Sequence, residues 1–239
     1  MSGFAPFGNF WNYYQFNKVD ERLQYINIKD VLRAIAPKEG EQMSILDVGC
    51  NEGDLTIAVS QLLLDQATIS PQNLHILGID LDHQLIERAK QKSDFIDFQH
   101  DNFMVSPIPD DFLAQRGQKN FELVFALSIT MWIHLNNGDE GLDSFLEKLC
   151  RLSKNLIIEP HPWKCYLSMR KRNKKNKTEL PYSLDTLKIR NDVVQHIEAK
   201  LEQLHFKLMG TLGVTKWERK ILWYQRVDIE AVTNKEPDA

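Results

Sequence analysis

Cysteine is scarce in this chain: Cys50, Cys150 and Cys165 are the three among 239 residues. Three is an odd number and no two are closely spaced. Neither a disulfide framework nor a Cys-based zinc site is expected, and a reducing compartment is the simpler reading. Glycine (11) and proline (9) are also sparse, which excludes a collagen-like or Pro/Gly-rich disordered chain. Wholly apolar runs are short, such as Leu62–Leu64, far below the roughly 20 residues that span a bilayer, so no membrane association is expected. Met1 to Phe10 has no basic region followed by an apolar stretch, so no secretory signal is expected. What remains is an ordinary globular composition, 43% hydrophobic and 26% charged, with chain enough for a substantial core.

The net charge of −4 is unevenly distributed. Pro160 to Arg226 holds 15 Lys+Arg and 6 Asp+Glu, a net +9, so the remainder carries −13. Six of the eight residues Arg170–Lys177 (RKRNKKNK) are basic. A local positive surface on an acidic protein suits a phosphate-bearing partner, although a solvated loop or helix face has the same composition.

Apolar strand-like segments alternate with helix-like ones. Strands are predicted at Ser44–Val48, His75–Ile79, Phe95–His100, Phe121–Leu127 and Leu156–Glu159. Helices are predicted at Asp30–Ala36, Asp54–Leu64 with Asp54 as N-cap, Asp82–Lys90, Gly141–Leu152 and Asp192–Leu204. Phe206–Thr211 and Ile221–Arg226 read as an antiparallel pair. Alternating β and α segments predict a parallel sheet covered by helices on both faces. The closing antiparallel pair resembles the Rossmann-like α/β sheet of class I methyltransferases, seven-stranded and mostly parallel. An aromatic-dense arm precedes it, with six aromatics among the eleven residues Phe4–Tyr14.

Asp47-Val48-Gly49-Cys50-Asn51-Glu52-Gly53 follows the first strand and precedes a helix. Ligands of open α/β sheets bind at the carboxyl ends of strands, and glycine there lets a ligand approach the backbone. The spacing is G-x-x-x-G, not G-x-G-x-x-G, which weighs against a dinucleotide. Asn51 stands at the middle of the turn, and Asn tolerates left-handed backbone best among non-glycine residues. Asp80 closes the second strand, where a carboxylate can accept from both hydroxyls of a ribose. Asp101-Asn102-Phe103 follows the third strand, where an amide and an aromatic can read an adenine. Together these point to S-adenosylmethionine. The aromatics Phe10, Trp11, Tyr13 and Tyr14 either lie over its sulfonium cation or pack the arm on the core.

At this point a family resemblance appears. GNFWNYYQF…DERL (Gly8–Leu23), LDVGCNEGDL (Leu46–Leu55), GIDLD (Gly78–Asp82), LSITMWIHLNNGDEGL (Leu127–Leu142) and EPHPWKCY (Glu159–Tyr166) occur in order. Together they resemble the Bicoid-interacting family of RNA methyltransferases, across about Pro6 to Arg226. That resemblance implies S-adenosylmethionine-dependent methylation of a 5′-terminal RNA phosphate. One branch caps 5′-triphosphates. The other methylates 5′-monophosphates, as on microRNA precursors and histidine tRNA. Thr130-Met131-Trp132, with Met131 where the capping branch has lysine, resembles the monophosphate branch, as do Ala5-Pro6-Phe7-Gly8 and Trp163-Lys164-Cys165-Tyr166.

The resemblance also implies site residues. Tyr14, Arg22, Gly49, Cys50, Asn51, Asp80, Leu81, Asn102, Phe103 and Leu127 would contact the cofactor. Arg22 would pair with its methionine carboxylate through a planar fork. Tyr13, Ser128, His134 and Lys164 are candidates for positioning the phosphate, with Trp132 or Trp163 stacking on the terminal base. Glu159 reads more readily as a structural acid at a turn. Arg170, Lys171, Arg172, Lys174, Lys175 and Lys177 would track RNA backbone. No general base is expected, because a phosphate oxygen is already anionic, and no metal is expected. Alignment then supplies the rate, about 7 kcal/mol for an effective molarity of ~10⁵ M. The chain departs from the family at His161, where glutamine is usual, and in a shortened spacing between Tyr14 and Arg22.

The expected organisation is one methyltransferase domain over 1–226, its first 29 residues forming an arm over the cofactor, and a disordered acidic tail at 227–239. The expected state is a cytoplasmic monomer. Three other readings stay open: a 5′-triphosphate capping enzyme, a non-catalytic RNA-binding protein that keeps the fold, and a small-molecule methyltransferase.

Overall fold

The structure, a computed structural model, describes residues 7, 8, 10–26, 28–66, 69–176 and 183–227. The predicted acidic tail beyond Val227 lies outside the described residues, as does Lys177.

Short helices α1 (Tyr13–Phe16) and α2 (Val19–Ile26), which belong to the arm, and α3 (Ile28–Ile35) lead into β1 (Met43–Val48). Next come α4 (Asp54–Gln66), β2 (Leu74–Asp80), α5 (His83–Lys92), β3 (Asp97–His100), α6 (Ile108–Ala114) and β4 (Phe121–Ala126). The chain continues through α7 (Thr130–Leu152), β5 (Ser153–Ile158), α8 (Trp163–Asn176), α9 (Val193–Gln203), β6 (Phe206–Val214) and β7 (Lys220–Arg226). The seven strands form one sheet in the order β3-β2-β1-β4-β5-β7-β6. The pairs among β1 to β5 are parallel, while β7 runs antiparallel to both β5 and β6.

The central strands are apolar on both faces because helices cover both. All of β1 is buried. Its Leu46 and Val48 join one core with Val124 and Ala126 of β4, while Met43 and Ile45 join the other with Leu123 and Phe125. The two-residue repeat thus feeds two cores from one strand. Helices α2 and α3 close the second core with Ile26, Val31, Leu32 and Ile35.

Several boundaries differ from the sequence reading. Helix α7 starts at Thr130 rather than Gly141, and Gly138 (φ 72°, ψ −173°) breaks it into two pieces. Asn136-Asn137-Gly138-Asp139 has turn chemistry, and only packing holds helix on its N-terminal side. Asp54 is the first residue of α4 rather than its cap, and its carboxylate pairs with Lys92 at 2.6 Å. Asp82, by contrast, caps α5, accepting from the Gln84 and Leu85 N–H groups. The basic run lies on the C-terminal half of α8, a helix with no clear apolar stripe in the sequence. Among the described residues no helix is long and apolar enough to cross a membrane.

Candidate active site

The loop after β1 turns sharply because Gly49 (φ 79°), Asn51 (φ 54°) and Gly53 (φ 79°) all take left-handed backbone. Two of these are glycine and the third is asparagine, the residues that tolerate it. The Gly49 and Cys50 N–H groups both donate to the Ile79 carbonyl, at 2.8 and 3.1 Å, which ties the turn to the end of β2. There Asp80 Oδ2 accepts from Asn51 N (2.9 Å) and Oδ1 accepts from Asp82 N (2.9 Å). Burial pushes the Asp80 carboxyl up, opposed by these two N–H bonds. One lone pair on each oxygen is used, so acceptor capacity remains.

This turn forms one wall of a cavity at the carboxyl edge of the sheet, enclosing about 920 Å³ of empty space with its open mouth. Tyr14, Arg22, Gly49, Asn51, Asp80, Leu81, Asn102, Phe103 and Leu127 line it, together with Tyr13, Ser128 and Trp132. The arm supplies Tyr13, Tyr14 and Arg22, and its Phe10 carbonyl accepts from Asn51 Nδ2 (3.2 Å). Phe7, Gly8, Asp47 and Ile129 also line it, and sequence reasoning missed them as wall residues.

Four candidates are placed elsewhere. Cys50 is buried under the turn, outside the cavity lining, and burial pushes its thiol up. His134 is fully buried in the core: its Nδ1 meets Tyr166 Oη at 3.0 Å and its Nε2 meets Asp139 Oδ1 at 2.9 Å. Burial lowers its pKa, so it is a neutral strut with both nitrogens engaged rather than a phosphate ligand. Trp163 stacks on Tyr166 (centroids 4.9 Å, interplanar angle 26°) and is not in the lining. Lys164 is exposed on α8 and pairs with Glu218. Of the four arm aromatics, Tyr13 and Tyr14 reach the cavity. Phe10 meets Trp132 edge-on (5.8 Å), and Trp11 is exposed, donating to Asp82 Oδ2 at 3.2 Å.

Behind the cavity lies a buried charge cluster that sequence reasoning did not assemble. Glu159 Oε2 accepts from Arg22 Nη2 and from the Ser128 hydroxyl, each at 2.7 Å. Glu159 Oε1 forms a close ion pair with Arg219 Nε at 2.8 Å. Burial alone would push the Glu159 carboxyl up, but Arg22 and Arg219 hold it below its ordinary value. Tyr13 donates to Ser128 Oγ (3.1 Å), so the hydroxyl protons run in sequence toward Glu159. Ser128 itself takes left-handed backbone (φ 59°), a local strain of the kind found at functional sites. Arg22 and Arg219 against one carboxylate leave one net positive charge. Among the described residues, Arg22 Nε and Nη1 have no hydrogen-bond partner, though buried and beside the cavity. Nη2 gives one N–H to Glu159, so its second N–H and an unpartnered neighbour, Nε or Nη1, leave one forked edge that fits a ligand carboxylate.

His161 completes the cluster. Its Nε2 meets Arg219 Nη1 at 2.6 Å, and a guanidinium only donates, so Nε2 accepts. Its Nδ1–H then faces Thr130 Oγ1 at 3.2 Å. Burial first, then Arg219, lowers its pKa from 6.5 to about 3. A group kept neutral by the fold contributes stability that is full above 6.5 and drains away as pH falls toward about 3. His161→Gln keeps an acceptor for Arg219 and a donor for Thr130 without titrating. It is expected to flatten the acid limb of stability by up to about 1.4 kcal/mol per pH unit. Denaturant titrations from about pH 7 to about pH 4 check this, and parallel limbs would show that His161 is not held neutral.

A glycine turn, an acid closing β2, an aromatic arm and a buried guanidinium line one cavity on a sheet whose last pair reverses direction. That combination is the class I S-adenosylmethionine-dependent methyltransferase. Solved structures share the fold at low identity. A TehB-like SAM-dependent methyltransferase from Corynebacterium glutamicum is 17% identical with a TM-score of 0.51, covering 91% of this chain and 94% of that one. A SAM dependent methyltransferase from Aquifex aeolicus is 15% identical with a TM-score of 0.53, covering 94% and 100%.

A methyltransferase-domain family profile matches residues 46–155, and the profile for Bicoid-interacting protein 3 (Bin3) matches residues 121–226. The pre-miRNA 5′-monophosphate methyltransferase of Danio rerio is 38% identical, covering 94% of this chain and 93% of that protein. The RNA 5′-monophosphate methyltransferase of Bos taurus is 36% identical, covering 93% and 81%. This chain belongs to the family of RNA 5′-monophosphate methyltransferases related to Bicoid-interacting protein 3, and it is an enzyme of that class.

Proposed function

We propose that the protein methylates the 5′-terminal monophosphate of a small RNA, with the phosphate entering the cavity mouth and the RNA body lying along α8. The observation that carries this reading is a contact between the two features. Arg172 of α8 sits over the Phe10 ring, 5.1 Å from its centroid, and Phe10 in turn packs on cavity-lining Trp132. The basic helix is therefore anchored beside the cavity rather than on a distant face. Arg170, Lys171, Lys174 and Lys175 are exposed on it.

S-adenosylmethionine, when bound, supplies an electrophilic methyl group on a sulfonium. In this reading Arg22 would hold its carboxylate through one forked edge, an unpartnered Nε or Nη1 together with the second N–H of Nη2, and Asp80 would accept from its ribose. The adenine would lie by Asn102 and Phe103. Leu81, Leu127 and Tyr14 would complete the wall, and Gly49 and Asn51 would keep the backbone close. The attacking phosphate oxygen needs no deprotonation, so these side chains orient rather than take a proton. Tyr13 is the natural donor to the phosphate. Its proton reaches Ser128 over 3.1 Å and can turn, whereas that of Ser128 is held by the Glu159 carboxylate at 2.7 Å. A neutral phenol steadies the phosphate without quenching its nucleophilicity. Trp132, 7% exposed, would form the floor beneath it.

Arg22 is the sole Lys or Arg among the described lining residues, and it is already shared with Glu159, while Asp47, Asp80 and Asp101 are carboxylates. That balance favours a monophosphate over a triphosphate, since each added phosphate charge would enter uncompensated. The decisive experiment is mass analysis of 5′-monophosphate and 5′-hydroxyl forms of one short RNA after incubation with S-adenosylmethionine. Methyl gain on the first alone is expected, and gain on both would refute the assignment. Neutralising Arg170, Lys171, Lys174 and Lys175 together is expected to weaken RNA binding and flatten its salt dependence. The slope of log K against log salt falls by about 0.7 for every RNA phosphate that the helix no longer neutralises. Cofactor affinity is expected to stay unchanged, and an unaltered slope would take RNA off this helix.

A further inference from the structure

The hairpin loop between β6 and β7 carries Thr215-Lys216-Trp217-Glu218-Arg219. Because Leu222 of β7 pairs with Ile158 at the end of β5, this loop sits at the carboxyl edge of the sheet, the same edge as the cavity. Trp217 is 37% exposed. A lone exposed aromatic is usually unremarkable, since apolar atoms make up much of any protein surface. Three observations set this one apart.

First, the loop is closed by its own hydrogen bonds. Thr215 N donates to the Arg219 carbonyl (2.9 Å), Glu218 N to the Thr215 carbonyl (2.8 Å), and Arg219 N to Thr215 Oγ1 (3.2 Å). Glu218 takes a left-handed backbone (φ 59°), a conformation that non-glycine residues adopt at some cost. Second, the residues on either side of Trp217 brace the loop in two directions. Lys216 pairs with Glu21 of α2 (3.2 Å), the helix that carries Arg22, and Glu218 pairs with Lys164 of α8. Trp217 therefore sits between the arm over the cofactor site and the basic helix. Third, two cations attend the indole. Lys216 Nζ and Arg219 Cζ each lie 4.9 Å from its ring centroid. Through Arg219 the ring is one ion pair away from Glu159, whose other oxygen holds cavity-lining Ser128.

An aromatic ring presented by a hydrogen-bonded loop, with cations over it that can turn to meet phosphates, is how proteins hold single-stranded bases next to their backbone. We propose that Trp217 is the stacking platform for one of the first two bases of the RNA, fixing the direction in which the 5′ end enters the cavity. Sequence reasoning gave this role to Trp132 or Trp163, but Trp132 is nearly enclosed and Trp163 is stacked on Tyr166. The inference rests on the RNA reading above.

The test compares 5′-monophosphate RNAs that are intact or abasic at the first or second nucleotide, with binding read by anisotropy. For the wild-type protein, loss of the stacked base is expected to weaken binding about 10-fold. W217A is expected to bind intact RNA about 10-fold more weakly than wild type and to be indifferent to the abasic change. W217F is expected to keep most of the base dependence, and S-adenosylmethionine affinity is expected to be equal in all three proteins. Equal wild-type affinity for intact and abasic RNAs would overturn the proposal, as would a base dependence that survives in W217A. Quenching of indole fluorescence by intact RNA that is lost in W217F gives a second readout should W217A fold poorly, and quenching that persists in W217F counts against stacking at this ring. Wild-type protein that binds RNA in a base-dependent way yet leaves the 5′-monophosphate unmethylated would refute the function above and not the platform.

Discussion

Arg22→Met is expected to weaken S-adenosylmethionine binding roughly 100-fold. Arg22 is 2% exposed, its Nη2 serves Glu159, and its Nε and Nη1 have no hydrogen-bond partner among the described residues. Two charge-assisted hydrogen bonds to a ligand carboxylate in such a setting contribute about 3 kcal/mol together. Methionine fills a similar volume, and Glu159 keeps Arg219 and Ser128, so the fold is expected to tolerate the change. The specific control is 5′-methylthioadenosine, which has the nucleoside and sulfur but no carboxylate. Its affinity is expected to be nearly the same in both proteins by calorimetry. An equal loss for both ligands would mean that Arg22 shapes the pocket and does not bind the carboxylate.

Glu159→Ala is expected to give the largest loss of stability. The change leaves Arg22 and Arg219 facing each other in the interior with no anion between them. Removing one partner of a buried charged set costs about 3–5 kcal/mol. For a chain of this size that lowers Tm by roughly 6–20 °C. Pairing it with Arg219→Met is expected to recover much of the loss, because Arg22 then no longer faces a second buried cation. Thermal unfolding of the two single variants and the double variant measures this directly. Additive losses would show that Glu159 and Arg219 act independently, contrary to their 2.8 Å contact.

The two variants act on one cluster, and that cluster marks where the sequence stops being readable. Gly49, Asn51 and Asp80 were legible because each role depends on local chemistry. Left-handed backbone wants Gly or Asn, and a carboxylate closing a strand faces the ligand edge of an α/β sheet. The alternation of apolar strands gave the sheet and its reversed last pair, since both faces of a parallel strand must be buried. His134 illustrates the opposite case. It stands in a specific sequence block with suitable chemistry, yet it points into the core and spends both nitrogens on Tyr166 and Asp139. A helix places neighbouring residues on different faces, and the break at Gly138 removed the periodicity that would have shown which face was buried. The helix carrying the basic run is hidden for a related reason: its last turns are charged all round.

By itself, the sequence determined the class of sheet, the turn and the acid that wall the cavity, and the concentration of positive charge after residue 160. Each of these follows from the order of residue types along a few consecutive positions. Only the tertiary structure decided that Arg22 and Glu159, 137 positions apart, share one buried ion pair, and that Arg219 and His161 join them. It alone placed Trp217, rather than Trp132 or Trp163, as the exposed indole between the arm and α8. The physical reason is that burial of a charge and exposure of a ring are properties of what packs around them. Those neighbours come from strands and helices far apart in the chain, so no local pattern encodes them.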